Sequence, residues 1–224
     1  MNYYPVTVVE NFYEDPDAIR KFALAQDYKF CHEIPNINYV FPGSRTKELL
    51  DLDRKLFEKV SAKLISLFHN PELDHMRWLI STSFQSVTEE YGRGVIHTDN
   101  NTILAAVLYL NPEPEPDSGT SLFKKNRHFD EAAYAQAIKE NDTLFRQKHK
   151  VMREDYHRMF DEIVRVNNVY NSLIVYEGDT FHAANRFFGK TLQDSRLAQV
   201  FFVNRIDAKK ESVFPLRRVR NIKA

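Results

Sequence analysis

His97-Thr98-Asp99 sets an imidazole and a carboxylate two positions apart, and a further histidine, His182, follows much later in the chain. Residues i and i+2 of an extended strand point to the same face, so His97 and Asp99 can grip one metal ion while Thr98 points away. With His182 as the third donor, two imidazoles and one carboxylate would occupy one face of an octahedron. The remaining positions stay open for a co-substrate and O₂, which is the donor set of a mononuclear non-haem iron(II) centre. A structural zinc site would close those positions. The same donors would also take manganese, cobalt or nickel, so the donor set does not name the metal.

A His-x-acid triplet is expected by chance in a chain with eight histidines and 31 acidic residues, and a second one exists at His128-Phe129-Asp130. Context separates the two. Asp130 opens a run of good helix formers and is expected to cap that helix. His97 and Asp99 lie between Gly92-Arg-Gly94 and the apolar stretch Ile103–Leu110, which has strand character.

Composition narrows the class. At 224 residues, 43% of them hydrophobic, and with 31 basic residues balancing 31 acidic ones, the chain has enough material for one full core. Zero net charge gives no global bias toward nucleic acid or membrane. The lone cysteine, Cys31, permits no intrachain disulfide and reads as packing, which favours a reducing compartment. Neither a basic leader nor an apolar run of spanning length is present, so the expected location is cytoplasmic. Oligomeric state is not legible.

The elements that must position the candidate donors follow from periodicity. Pro5–Val9 reads as a strand. Asp15-Pro16 then caps a helix with Ile19, Phe22 and Ala23 on its apolar stripe. Residues 28–45 read as a long loop broken by Pro35, Pro42 and Gly43. Leu49, Leu52, Leu56, Val60, Leu64 and Leu67 mark a second helix that packs flat on a sheet. Strands are expected at 79–87, 95–99, 103–110, 120–123, 172–177 and 196–203. Between 124 and 169 the charged text, with Met152, Tyr156, Met159, Phe160 and Ile163 at helical spacing, reads as a helical insert, either a cap over one sheet face or a selector of substrate. The expected fold is α+β in one domain: a strand and supporting helices over 1–78, a β-sandwich core over 79–206 holding the insert 124–169, and a basic tail over 207–224.

The order His97-Thr-Asp99, Tyr109-Leu-Asn-Pro112, Ser118-Gly-Thr-Ser-Leu-Phe123, Ile174-Val-Tyr-Glu-Gly-Asp-Thr-Phe-His182 and Arg196-Leu-Ala-Gln-Val-Phe-Phe-Val203 resembles the iron(II)/2-oxoglutarate dioxygenase superfamily, in particular its prolyl-hydroxylase-like branch. Val9–Arg20 and Phe41-Pro-Gly-Ser-Arg-Thr46 also resemble uncharacterised bacterial and phage members. The resemblance implies a double-stranded β-helix (jelly-roll, cupin-like), with His97, Asp99 and His182 as metal ligands. The cofactors it implies are Fe(II), 2-oxoglutarate and O₂, with ascorbate as a reductant.

By the same resemblance Arg196, fourteen residues after His182, binds the far carboxylate of 2-oxoglutarate, and the Tyr109 hydroxyl helps hold it. A guanidinium offers the fork a carboxylate needs. The plainer readings are an arginine snorkelling from a strand end and a core tyrosine. Arg45 would bind an anionic part of the substrate or sit on the surface, and Asn100 and Asn185 would hydrogen-bond near the ligands or serve tight turns. The implied activity is hydroxylation of a C–H bond in a peptide, an amino-acid side chain or a small metabolite, with release of succinate and CO₂. Asp99 favours this over halogenation, since halogenating relatives replace the carboxylate with a small residue. A nucleic-acid demethylase of this superfamily would place a second arginine where this chain has Phe202, and the basic tail (Lys209, Lys210, Arg217, Arg218, Arg220, Lys223) is too short to argue otherwise. The remaining alternatives are a non-catalytic cupin-like binding protein and an interaction protein docking through the insert.

Overall fold

The computed structural model of the chain describes residues 6–37, 39–68, 77–146 and 153–207. Its strands are β1 (Val6–Val9), β2 (Lys29–Phe30), β3 (Ser44–Arg45), β4 (Arg77–Val87), β5 (Leu104–Tyr109), β6 (Thr120–Lys125), β7 (Phe160–Val166), β8 (Leu173–Glu177), β9 (Phe181–Ala184) and β10 (Arg196–Asp207). They form a seven-stranded sheet in the order β1-β8-β5-β10-β4-β3-β2 and a three-stranded sheet in the order β7-β6-β9, with every pairing antiparallel.

β10 lies in the middle of the large sheet, and its period-2 alternation decides what each face does. Leu197, Phe201 and Val203 face outward, where they pack with Phe84, Leu104, Leu108 and Leu173 beneath the helices α1 (Pro16–Leu24), α2 (Leu49–Leu52) and α3 (Arg54–Ser66). Arg196, Ala198, Val200 and Phe202 face the other way, toward the small sheet. Across that gap Ala105, Tyr109, Ile174 and Tyr176 of the large sheet pack on Leu122, Ile163, Val164 and Val166 of the small one. The result is a mixed α/β architecture of two facing antiparallel sheets, with helices on the outer face of the larger.

Asp15 caps α1 as expected, its Oδ1 accepting from the Ala18 N–H at 2.9 Å. The single helix expected over 49–67 is instead two. Asp53 leaves helical geometry at φ −153°, closes α2 by donating its N–H to the Leu49 carbonyl at 2.8 Å, and caps α3 by accepting from the Leu56 N–H at 2.9 Å. The local bonding of an aspartate to the backbone outcompetes continuous helix while keeping the apolar stripe in phase. The loop expected over 28–45 contributes the two short edge strands β2 and β3.

The insert is only partly helical. α4 (Glu131–Arg146) is a helix, with Asp130 Oδ1 accepting from the Ala133 N–H at 2.8 Å as the capping argument required. A 3-10 turn over Asp155–Met159 follows, and then β7, which pairs with β6. The helical spacing of Tyr156, Met159, Phe160 and Ile163 joined a turn to a strand. A bulge opposite Leu122 and Phe123 adds one residue to β7, so Ile163 and Val164 both reach the interior and the strand's alternation is broken. Met152 and the basic tail from 208 onward lie outside the described residues. Cys31 is buried, its thiol directed at the Phe145 carbonyl. No helix among the described residues is long and apolar enough to cross a membrane.

Candidate metal centre

β9 was not among the expected strands, yet it carries His182. Its edge is completed by the segment before Asp99, which is no regular strand. The His97 N–H donates to the His182 carbonyl at 3.1 Å and the His182 N–H to the His97 carbonyl at 2.9 Å, a single bridge. Gly94 permits this approach: its N–H donates to the Ala184 carbonyl at 2.8 Å, and a Cβ there would lie 2.6 Å from the Ala184 nitrogen. Asp99 is tied down by its own N–H, which donates to the Gly178 carbonyl at 2.8 Å.

The three side chains meet. His97 Nε2 lies 3.5 Å from Asp99 Oδ1, and His182 Nε2 lies 3.4 Å from Asp99 Oδ2. All three donor atoms fall within 4.8 Å of one another. Ligands about 2.1 Å from an ion and at right angles sit about 3 Å apart, so the two histidine–aspartate pairs need to close by about half an ångström, and the widest pair by up to about 2 Å, to hold one. Each imidazole turns its Nδ1 to a backbone carbonyl two residues back, His97 to Val95 at 2.8 Å and His182 to Thr180 at 2.9 Å. Those contacts favour the tautomer with hydrogen on Nδ1, which leaves both Nε2 lone pairs aimed at the shared point. The donors therefore fit a divalent metal ion. The His182 side chain is 7% exposed and that of His97 44%, so the open side of the triad is the side of His97.

The charges agree with ligand duty. Burial opposes ionisation of Asp99, but the facing His182 and His97 override it and hold the carboxyl at about 2. Burial and the neighbouring His97 push His182 down to about 4, keeping it neutral. For His97 burial works against the charge, but the hydrogen bond and charge of Asp99 outweigh it and the pKa is raised.

A second group lies on the same interior. Arg196 is 6% exposed, and its guanidinium donates to the Ser118 carbonyl at 2.8 Å and toward Thr120 Oγ1 at 3.4 Å. It sits 5.4 Å from the ring centroid of Tyr109, whose hydroxyl donates to Thr120 Oγ1 at 2.9 Å. Among the described residues no carboxylate pairs with Arg196; burial lowers its pKa, and only Tyr109 and Tyr176 are placed to oppose that. A buried cation surrounded by neutral groups is costly unless an anion joins it, which suits the far carboxylate of a dicarboxylic acid. The snorkelling alternative is excluded by this burial.

Tyr176 was not singled out by the sequence. Its ring centroid lies 4.6 Å from that of His182, and Asp99, Tyr109 and Arg196 all act on its hydroxyl. It thus stands between the triad and the arginine. Register also accounts for Arg45: β3 pairs with β4 and β4 with β10, so Arg45, Gln85, Ala198 and Tyr109 form one row on the interior face. Asn185 is half-buried, ties the end of β9 to the Gly119 carbonyl through its N–H at 3.0 Å, and has an amide without partners among the described residues. Asn100 lies exposed in the turn after Asp99, on the rim of a depression that also includes Asp179 and Asn204. His128 is not part of the cluster.

A family model described as "Family of unknown function (DUF6445)" matches residues 2–196. No curated protein sequence matches the chain. Among solved structures, the chain is similar to an oxidoreductase of the 2OG-Fe(II) oxygenase family from Burkholderia pseudomallei, at 9% identity over 88% of this chain and 83% of that one, with a TM-score of 0.51. It is also similar to the non-heme alpha ketoglutarate dependent epimerase SnoN from nogalamycin biosynthesis, at 12% identity over 98% and 84%, with a TM-score of 0.50. A prolyl-4-hydroxylase from Pseudomonas putida aligns at 14% identity over 90% and 93%, with a TM-score of 0.45. The first two likenesses show a shared fold, a mixed α/β architecture with a large antiparallel sheet that is consistent with a jelly roll.

Proposed function

The chain belongs to the DUF6445 family of unknown function, and we propose that it is an iron(II)- and 2-oxoglutarate-dependent dioxygenase that hydroxylates a C–H bond of an amino-acid side chain, a peptide or a small metabolite. We read its two facing sheets as a double-stranded β-helix. The observation that carries the proposal is the pairing, on one interior, of a two-histidine, one-carboxylate cluster with a buried arginine that has no carboxylate partner among the described residues.

Iron(II), 2-oxoglutarate and O₂ together supply the oxidant for C–H hydroxylation, with succinate and CO₂ as the other products. His97, Asp99 and His182 would hold the metal. The carbonyls of Val95 and Thr180 keep the two imidazoles turned the right way. Arg196 supplies the fork for the far carboxylate of 2-oxoglutarate, steadied by Ser118 and Thr120, while Tyr109 lies against the guanidinium. Tyr176 packs its buried ring against that of His182. No side-chain nucleophile or acid-base pair is required.

The test is anaerobic titration of metal-free protein with Fe(II) and 2-oxoglutarate, followed by the visible charge-transfer band of a chelated keto acid. A band that His182→Ala abolishes and Arg196→Met weakens supports the assignment. Folded wild-type protein that binds metal but gives no band would point instead to a non-catalytic, cupin-like binding protein.

A further inference from the structure

We propose that Arg45 is the recognition residue for an anionic group, a carboxylate or a phosphate, on the small molecule that this site oxidises. The inference rests on the oxygenase reading above and adds the chemical class of the substrate.

Arg45 is held from several sides by groups that do not neutralise it. Its Nη2 donates to Gln85 Oε1 at 3.3 Å, and Gln85 is itself fixed by donating its Nε2 to the Pro42 carbonyl at 2.8 Å. The guanidinium carbon lies 4.5 Å from the Phe41 ring centroid and 5.5 Å from that of Phe202, so aromatic rings flank the cation. Its Nε is buried with no hydrogen-bond partner among the described residues. The preceding turn is built for this: Gly43 has φ +67°, and a Cβ there would lie 2.1 Å from the Ser86 carbonyl oxygen. Only glycine lets the Phe41–Arg45 segment press onto β4 closely enough for Gln85 to reach both Pro42 and Arg45.

The position is also specific. Arg45 shares a cross-sheet row with Gln85, Ala198 and Tyr109 on the interior face, three strands from Tyr109. Strand spacing sets the backbones of Arg45 and Tyr109 roughly 14 Å apart, and those of β3 and β10, which carries Arg196, roughly 10 Å apart. The Phe202 ring that flanks the guanidinium stands on the same face of β10 as Arg196 and Ala198, so Arg45 opens onto the interior between the two sheets.

Two carboxylates act on Arg45, Asp99 and Glu48, and neither pairs with it among the described residues. Glu48 is engaged by the Thr82 N–H at 2.8 Å, and Asp99 faces the two histidines. A preorganised, half-buried guanidinium on the interior face, with part of its donor fork unused, selects an anion over its neutral isostere. The reason is that the neutral ligand would leave the half-buried cation unpaired.

The test is calorimetric binding to protein loaded with Mn(II) and 2-oxoglutarate in the absence of O₂. The probes are free amino acids and their N-acetyl forms, nucleoside and sugar monophosphates, and the amide or dephosphorylated counterpart of each. The expected result is binding confined to anionic members, at least about tenfold weaker to Arg45→Gln and intermediate for Arg45→Lys, which keeps the charge but loses the fork. The carboxylate and phosphate arms identify the source of the charge. Equal binding of neutral counterparts, equal binding by Arg45→Gln, or no anionic binder in the panel would overturn the proposal. It is also overturned if Arg45→Gln loses 2-oxoglutarate while Arg196→Met keeps it, since Arg45 would then be the co-substrate anchor. Failure of wild-type protein to bind 2-oxoglutarate at all is a separate result that removes the oxygenase reading itself.

Discussion

The rings of Tyr176 and His182 lie with centroids 4.6 Å apart, and this contact joins the His97, Asp99 and His182 cluster to the arginine end of the interior. Tyr176 comes from the large sheet and His182 from the small one, so the contact spans the two layers.

Tyr176 therefore supports both the fold and the site. Tyr176→Ala, which empties a fully packed aromatic position, is expected to cost about 3–5 kcal/mol in urea unfolding and to weaken Fe(II) binding by freeing the His182 ring. Tyr176→Phe keeps the ring and should lose less than about 1.5 kcal/mol while retaining metal affinity. Equal loss of metal affinity in both variants would refute the packing role.

Gly94→Ala tests whether backbone approach sets His97. The added Cβ would meet Ala184 backbone atoms at 2.6 and 2.8 Å, pushing the segment before His97 off β9. The outer-face core lies elsewhere, so cooperative unfolding should persist while Fe(II) affinity falls roughly tenfold or more. Unchanged metal affinity would mean that the His97 bridge does not position the ligand.

Arg196→Met should separate ligand binding from folding. The arginine is buried with neutral partners, so metal-free protein carrying a methionine there is expected to be as stable as wild type or more so. The increase in melting temperature on adding 2-oxoglutarate with Mn(II), expected for wild type, should vanish. A variant that unfolds but keeps that ligand response when refolded would assign Arg196 a structural role.

His157 makes metal-free protein sensitive to acid. Its imidazole nitrogens are buried without hydrogen-bond partners among the described residues, and burial together with Arg93 pushes its pKa down to about 4. The unfolded chain takes up this proton near 6.5, the folded one only near 4. Stability is thus fully present above about pH 6.5 and is lost as pH falls toward 4. Urea midpoints should decline across that window, and His157→Gln should flatten the decline; His182, also held near 4, adds in the same direction. Identical pH profiles for wild type and His157→Gln would discount the residue.

Much of the site was readable because metal ligands must be of particular types and, in an extended segment, at particular spacing. His97 and Asp99 announced themselves by i, i+2 placement, and Asp130 was set aside because its following residues favour a helix. Arg196 stood out as a charge at the head of an apolar strand. The helical reading of 156–163 failed because three- and four-residue spacing arises equally from a tight turn running into a strand, and only pairing with β6 decides between them. Tyr176 escaped notice because a tyrosine inside an apolar strand looks the same whether it fills a core or lines a site.

What the sequence by itself determined was local: which residues can ligate, which aspartates cap, which strands alternate and which helix faces are apolar. Tertiary structure alone decided that β9 exists, that its His182 pairs with His97, that Arg45 and Tyr109 share a row, and that Arg196 is buried without a carboxylate. These facts depend on register between segments as far apart as β3 and β10. Register is settled by long-range backbone pairing, and a shift of one residue would turn every one of these side chains to the opposite face.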